Sequence, residues 1–120
     1  MAALHHLALR THDVERLLAF YRDWLELSIA RDKRPASVWL ALEHDAVLMI
    51  ERAESDEPAI AQGSRELVAL AVTPADRRCA RERLLAAGML EAETEHTLYF
   101  RDPDGRRVAL SSYPLAAPPA

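Results

Sequence analysis

Cysteine occurs once in the 120 residues, as Cys79, so no intramolecular disulfide forms and no cysteine pair exists to build a zinc knuckle. The expected setting is therefore reducing and cytoplasmic. The N-terminus has no basic stretch, and its apolar residues are interrupted by His5 and His6, so no secretory leader is expected. No apolar run approaches the ~20 residues that cross a bilayer, which leaves no expected membrane partner. Positive charge is also short. The 15 Lys and Arg stand against 19 Asp and Glu, a net charge of −4, where a nucleic-acid binder carries a basic patch or stripe. The densest arginines, Arg77, Arg78, Arg81 and Arg83, sit among Asp76 and Glu82 and read as a solvated helix face.

What is present fits one domain with a core large enough to need no staple. Residues 4–11 read as a strand. Asp13 is placed to N-cap a helix whose Val14, Leu17, Leu18, Tyr21 and Leu25 follow the i, i+3, i+4, i+7 spacing. Short strands are expected near 27–31, 37–43 and 46–51, the last two joined by "EHDA". Residues 52–65, "RAESDEPAIAQGSR", hold neither period and read as a linker. Then the order restarts: a strand at 66–72, a helix opened by Thr73, Pro74 and Asp76 and closed at Gly88, and strands near 89–93, 95–101 and 106–112, the last two turned by "DPDG". The tail, 114–120, is expected to fray.

A shift of 61 places aligns Ala8 with Ala69, Leu9 with Leu70, Arg16 with Arg77, Ala19 with Ala80 and Arg22 with Arg83. Shared residues and shared element order together predict two similar modules, about 4–51 and 66–113, packed around one cleft.

Two stretches carry a family resemblance. "HLALRTHDVERLLAFYRDWLEL" resembles the opening of the vicinal oxygen chelate superfamily, which includes glyoxalase I, bleomycin-resistance proteins, extradiol dioxygenases and methylmalonyl-CoA epimerase. "LYFRDPDGRRVALSSYP" resembles its closing strand, turn and strand. The resemblance runs from residue 4 to about 114 and implies an α+β fold: two tandem βαβββ modules forming an open, cupped mixed sheet with helices on the outer face. It also implies a homodimer and a small organic molecule as partner.

Strand alternation sorts the side chains. Leu7, Leu9, Leu48, Ile50, Val68, Leu70, Val108 and Leu110 fall toward the helices. His6, Arg10, Met49, Glu51, Leu67, Ala109 and Ser111 fall toward the cup. His5 points the opposite way from His6. By the resemblance, the face shared by His96, Leu98 and Phe100 also contributes to the pocket. Trp39 alternates away from Leu40 and is read as lying outside the cup, Cys79 as a small core residue, and Glu51, Glu54, Asp56 and Glu57 as a solvated set.

Metal-using members of the superfamily hold their ion with residues of the first and fourth strands of each module. Carried over one at a time, those positions are His6, Met49, Leu67 and Ala109. Leucine and alanine offer no donor, and a thioether suits Cu(I) better than Zn, Fe, Mn or Ni, while a catalytic ion needs about three N, O or S ligands. The expectation is a binding protein with no metal cofactor, whose anchors are His6, Arg10, Glu51, His96 and Ser111 and whose walls are Met49, Leu67, Leu98, Phe100 and Ala109. The alternative is a glyoxalase- or epimerase-like enzyme with His6 and Glu51 as ligands or acid–base pair, Arg10 supplying positive charge, and a divalent metal as a further option.

Overall fold

A computed structural model describes residues 1–115. The contacts divide the chain into two compact units, Met1–Ala59 and Ile60–Ala120, and each contains one four-stranded mixed sheet. The fold is α+β, two tandem βαβββ modules, as the repeat predicts. The expected fraying of the tail falls, for residues 116–120, outside the described residues.

In the first unit β1 (His6–Thr11) runs into α1 (Val14–Asp23), and β2 (Ile29–Lys33), β3 (Ser37–Ala41) and β4 (Val47–Arg52) follow. The helix starts where Asp13 accepts a hydrogen bond from the Arg16 amide at 3.0 Å, satisfying a donor the first turn cannot pair itself. Its apolar stripe buries Val14, Leu17, Leu18, Phe20 and Tyr21, and it packs on β3 and β4, where Val38, Leu40, Leu48 and Ile50 are fully buried. Strand order is β1-β4-β3-β2, with β1 parallel to β4 and the hairpin β3–β4 antiparallel. The β3–β4 connection is a short 3₁₀ turn, Glu43–Asp45.

The second unit repeats the plan with β5 (Leu67–Ala71), α2 (Pro74–Ala86), β6 (Ala92–Glu93), β7 (Thr97–Arg101) and β8 (Arg107–Ser111), in sheet order β5-β8-β7-β6. Thr73 caps α2 through the Asp76 amide at 3.1 Å. Gly88 follows the helix at φ +68, the left-handed conformation a glycine adopts without Cβ strain. Only Leu84 of α2 is fully buried, and Cys79 is exposed. That corrects its reading as a core residue, for the polar run of this helix leaves it a narrow buried stripe. Under the helix lie Leu98, Phe100, Val108 and Leu110.

The turn "DPDG" fixes the register of this last hairpin. The buried Asp102 carboxylate accepts from the Asp104 and Arg106 amides at 2.9 and 3.1 Å and from the Arg106 guanidinium at 2.6 Å. Phe100 therefore stands opposite Val108, and Leu98 opposite Leu110.

Candidate functional site

Each sheet has one face covered by its helix and one open face, and the open faces carry most of the residues singled out in the sequence. In the first unit, register lays three rows across the open face: His6 beside Val47 and Ala41; Ala8 beside Met49, Trp39 and Arg31; Arg10 beside Glu51, Ser37 and Lys33. His6, Arg10, Met49 and Glu51 thus share a face. Trp39 shares it too, correcting its placement outside: in a tight hairpin, directly paired residues point the same way, and Trp39 is paired with Met49.

On the second unit's open face the rows are Leu67, Arg107 and Arg101; Ala69, Ala109, Tyr99 and Ala92; Ala71, Ser111 and Thr97. Leu67 is 42% exposed. Ala109 is buried between Ala69 and Tyr99. The Ser111 hydroxyl is 2.7 Å from that of Thr97 and accepts from the Tyr113 amide at 3.1 Å.

Leu98 and Phe100, read as pocket wall, do not lie here. They are 0% and 1% exposed on the helix-covered face, paired with Leu110 and Val108. The residues of β7 on the open face are instead Thr97, Tyr99 and Arg101. His96 lies just before β7, its ring edge-on to Tyr113 at 5.4 Å between centroids and its carbonyl accepting from the Ser112 amide.

The two histidines are closer than strand parity implies. His5 stands at the start of β1, its carbonyl accepting from the Val47 amide at 3.1 Å, and its Nδ1 lies 2.9 Å from that of His6. One ring donates and the other accepts, since a hydrogen bond between two ring nitrogens needs one of each.

Arg10 is held from two sides. Its guanidinium donates to the Glu57 carboxylate through Nε, at 3.1 Å, and through a second, shorter contact. Glu51 lies 3.8 Å away. The bond from Arg10, chiefly, holds the Glu57 carboxyl down at about 2, with a backbone bond in the Glu54 turn adding to it. Glu57 also accepts from the Glu54 amide at 3.0 Å, and its carbonyl meets His12 Nε2 at 3.0 Å. Glu57 is therefore a clasp tying residues 53–57 to β1, and not part of a merely solvated set.

The geometry weighs on the acid–base alternative. His6 pairs with Val47 and Glu51 with Arg10; four residues along a strand is about 13 Å, beyond hydrogen-bond reach. The positive charge of Arg10 is already balanced by Glu57.

In the second unit Glu91 accepts from Arg101 at 2.7 Å and lies 3.3 Å from Arg107 Nε. Arg101, first, and then Arg107 lower the Glu91 carboxyl below its ordinary range. The Arg107 guanidinium carbon is 4.3 Å from the Tyr99 ring centroid, a cation–π contact. A cleft of about 560 Å³ opens beside this cluster, lined by Ile60, Gln62, Glu91, Arg101, Pro103 and Asp104 among others.

The sequence pattern of the Glyoxalase/Bleomycin resistance protein/Dioxygenase superfamily matches residues 3–110. The chain belongs to that superfamily. Its fold is similar to that of lactoylglutathione lyase from Agrobacterium tumefaciens, at 22% identity over 92% of this chain and 93% of that one, TM-score 0.71. It is also similar to the fosfomycin resistance protein FosX from Mesorhizobium loti, at 20% identity over 95% and 93% of the two chains, TM-score 0.71. A mutant FosX from Listeria monocytogenes, complexed with Mn(II) and a dihydroxypropylphosphonic acid, aligns at 16% identity over 96% and 93%, TM-score 0.76. At such identities the likeness is one of fold. No curated protein matches the chain.

Within the superfamily frame, the donor set does not fit a divalent ion. Of the four positions carried over from metal-using members, Leu67 and Ala109 have no donor atom and Met49 has only a thioether, directly paired with Ala8 and not with His6. Among the described residues, no three His, Cys, Asp or Glu side chains are grouped to hold a metal.

Proposed function

We propose that this member of the superfamily is a small-molecule-binding protein of the bleomycin-resistance kind, which sequesters an organic ligand on an open sheet face without a catalytic metal. The observation that carries the reading is the composition of the four positions, where His6 alone offers a ligand suited to a hard or borderline ion. Each open face by itself offers apolar surface and polar groups for an organic molecule: Met49 and Trp39 with His6 and Glu51 on the first unit, and Leu67 and Tyr99 with Ser111 on the second. A cytoplasmic homodimer belongs to the same reading, on family analogy.

The test is a thermal-shift screen of small organic compounds with and without chelator. A ligand that binds only the folded state raises the midpoint by mass action. A saturable rise unaffected by EDTA is the expected result; a rise that appears only with added Zn, Mn, Fe or Ni overturns the metal-free reading.

A further inference from the structure

Arg31 and Lys33 point to the open face of the first sheet from its outermost strand, in register with Trp39 and Ser37. The Arg31 guanidinium carbon lies 5.1 Å and the Lys33 ammonium 5.3 Å from the Trp39 ring centroid, close enough for cation–π attraction. Neither cation has a carboxylate partner among the described residues. The one acid between them, Asp32, alternates to the other face and is held down at about 2 by hydrogen bonds from Arg34, so it does not neutralise them. The remaining acids of this face, Glu51 and Glu57, stand toward β1 with Arg10.

Beneath the two cations, Trp39 Nε1 is buried and has no hydrogen-bond acceptor. An indole N–H only donates, as do guanidinium and ammonium groups. A buried donor without an acceptor costs about 1–3 kcal/mol. The cluster therefore consists of one unpaired indole donor and two uncompensated cations, in a chain whose net charge is −4. An acceptor with negative charge is what such a cluster lacks. Edge lysines and arginines also serve to keep sheet edges from pairing, but that role does not call for an unpaired indole donor below them.

We infer that Trp39, Arg31 and Lys33 form an oxyanion-binding shelf, which takes the carboxylate or phosphate group of a small organic acid while Met49 and the neighbouring sheet face receive its apolar body. This rests on the small-molecule reading above and specifies the charge of the ligand. The shelf attracts the anion by charge, and the indole N–H and the planar Arg31 guanidinium supply direction, since both present donors in a fixed geometry while the Lys33 ammonium does not.

The experiment uses the whole protein and four probes of matched shape: benzoate, phenyl phosphate, benzamide and benzylamine, titrated calorimetrically at low and high salt. Binding of an anionic probe, weakened by salt, at least about tenfold tighter than benzamide, and reduced about tenfold or more in Arg31→Ala/Lys33→Ala, is the expected result. The stronger of the two anions distinguishes carboxylate from phosphate. Trp39→Phe should weaken anion binding while leaving the unfolding midpoint within a few degrees. Tighter binding of benzamide or benzylamine than of either anion, or anion binding indifferent to the double variant, overturns the shelf while leaving small-molecule capture intact. Binding of no probe here, with no midpoint rise in the wider thermal-shift screen, overturns both.

Discussion

Replacing Phe100 with alanine separates two roles for this ring, structural core and ligand wall. The side chain is 1% exposed beneath α2, opposite Val108. A buried aromatic removes about 150–250 Å² from water, which at about 25 cal/mol per Å² is worth some 4–6 kcal/mol at most. Alanine retains part of that, and the cavity left behind adds cost, so the expected loss is about 3–5 kcal/mol. Domains of this size have only about 5–15 kcal/mol in total, so the variant should be marginal. Phe100→Leu, which keeps most of the volume, should lose under about 1.5 kcal/mol and stay folded. Leu67, at 42% exposure on the open face, is the control: Leu67→Ala should cost less than about 1 kcal/mol. Urea unfolding followed by far-UV circular dichroism measures all three, with unchanged slopes showing that stability alone has moved. A Phe100→Ala loss below about 1 kcal/mol beside a several-kcal/mol loss for Leu67→Ala would refute the assignment of faces.

Two further outcomes follow from charged groups. Arg106→Met removes the guanidinium that holds the buried Asp102 carboxylate at 2.6 Å while the Asp104 and Arg106 amides still donate to it, so the expected loss is about 1–3 kcal/mol; an unfolding midpoint unchanged from wild type would contradict the turn's role in fixing the hairpin. The Glu57 carboxyl is held at about 2 in the folded chain against an ordinary 4.5, so the clasp contributes fully above about 4.5 and is lost as pH falls from there toward 2. Protection of the amides of residues 53–57, each rate taken relative to its intrinsic value at the same pH, should fall across that window in the wild type and be low already at neutral pH in Glu57→Gln.

The architecture was legible because two signals agreed. Capping residues and apolar spacing mark both helices, and the offset of 61 between Ala8–Leu9 and Ala69–Leu70 marks the repeat; the structure keeps this correspondence, with Met49 beside Ala8 and Ala109 beside Ala69. The face of Leu98 and Phe100 was legible as well, through the turn. "DPDG" pairs them with Leu110 and Val108, residues already assigned to the helix side by alternation, so the resemblance pointed one way and the register the other. Trp39 follows the same rule through its hairpin with Met49. Long-range side-chain contacts were not legible. Nothing in local spacing brings Glu57 to Arg10, 47 residues away, because that pairing depends on how an irregular loop returns to the sheet. The contact of His5 with His6 depends on the side-chain rotamers of the two rings, which alternation does not report.

We propose that the residues standing where metal-using relatives keep their ligands hold no catalytic ion. Elemental analysis of the protein, purified without chelator, is the test. Zn, Fe, Mn and Ni are each expected well below one equivalent per chain, with the same content in His6→Ala. One equivalent of any of these metals in the wild type, lost in His6→Ala, would contradict it.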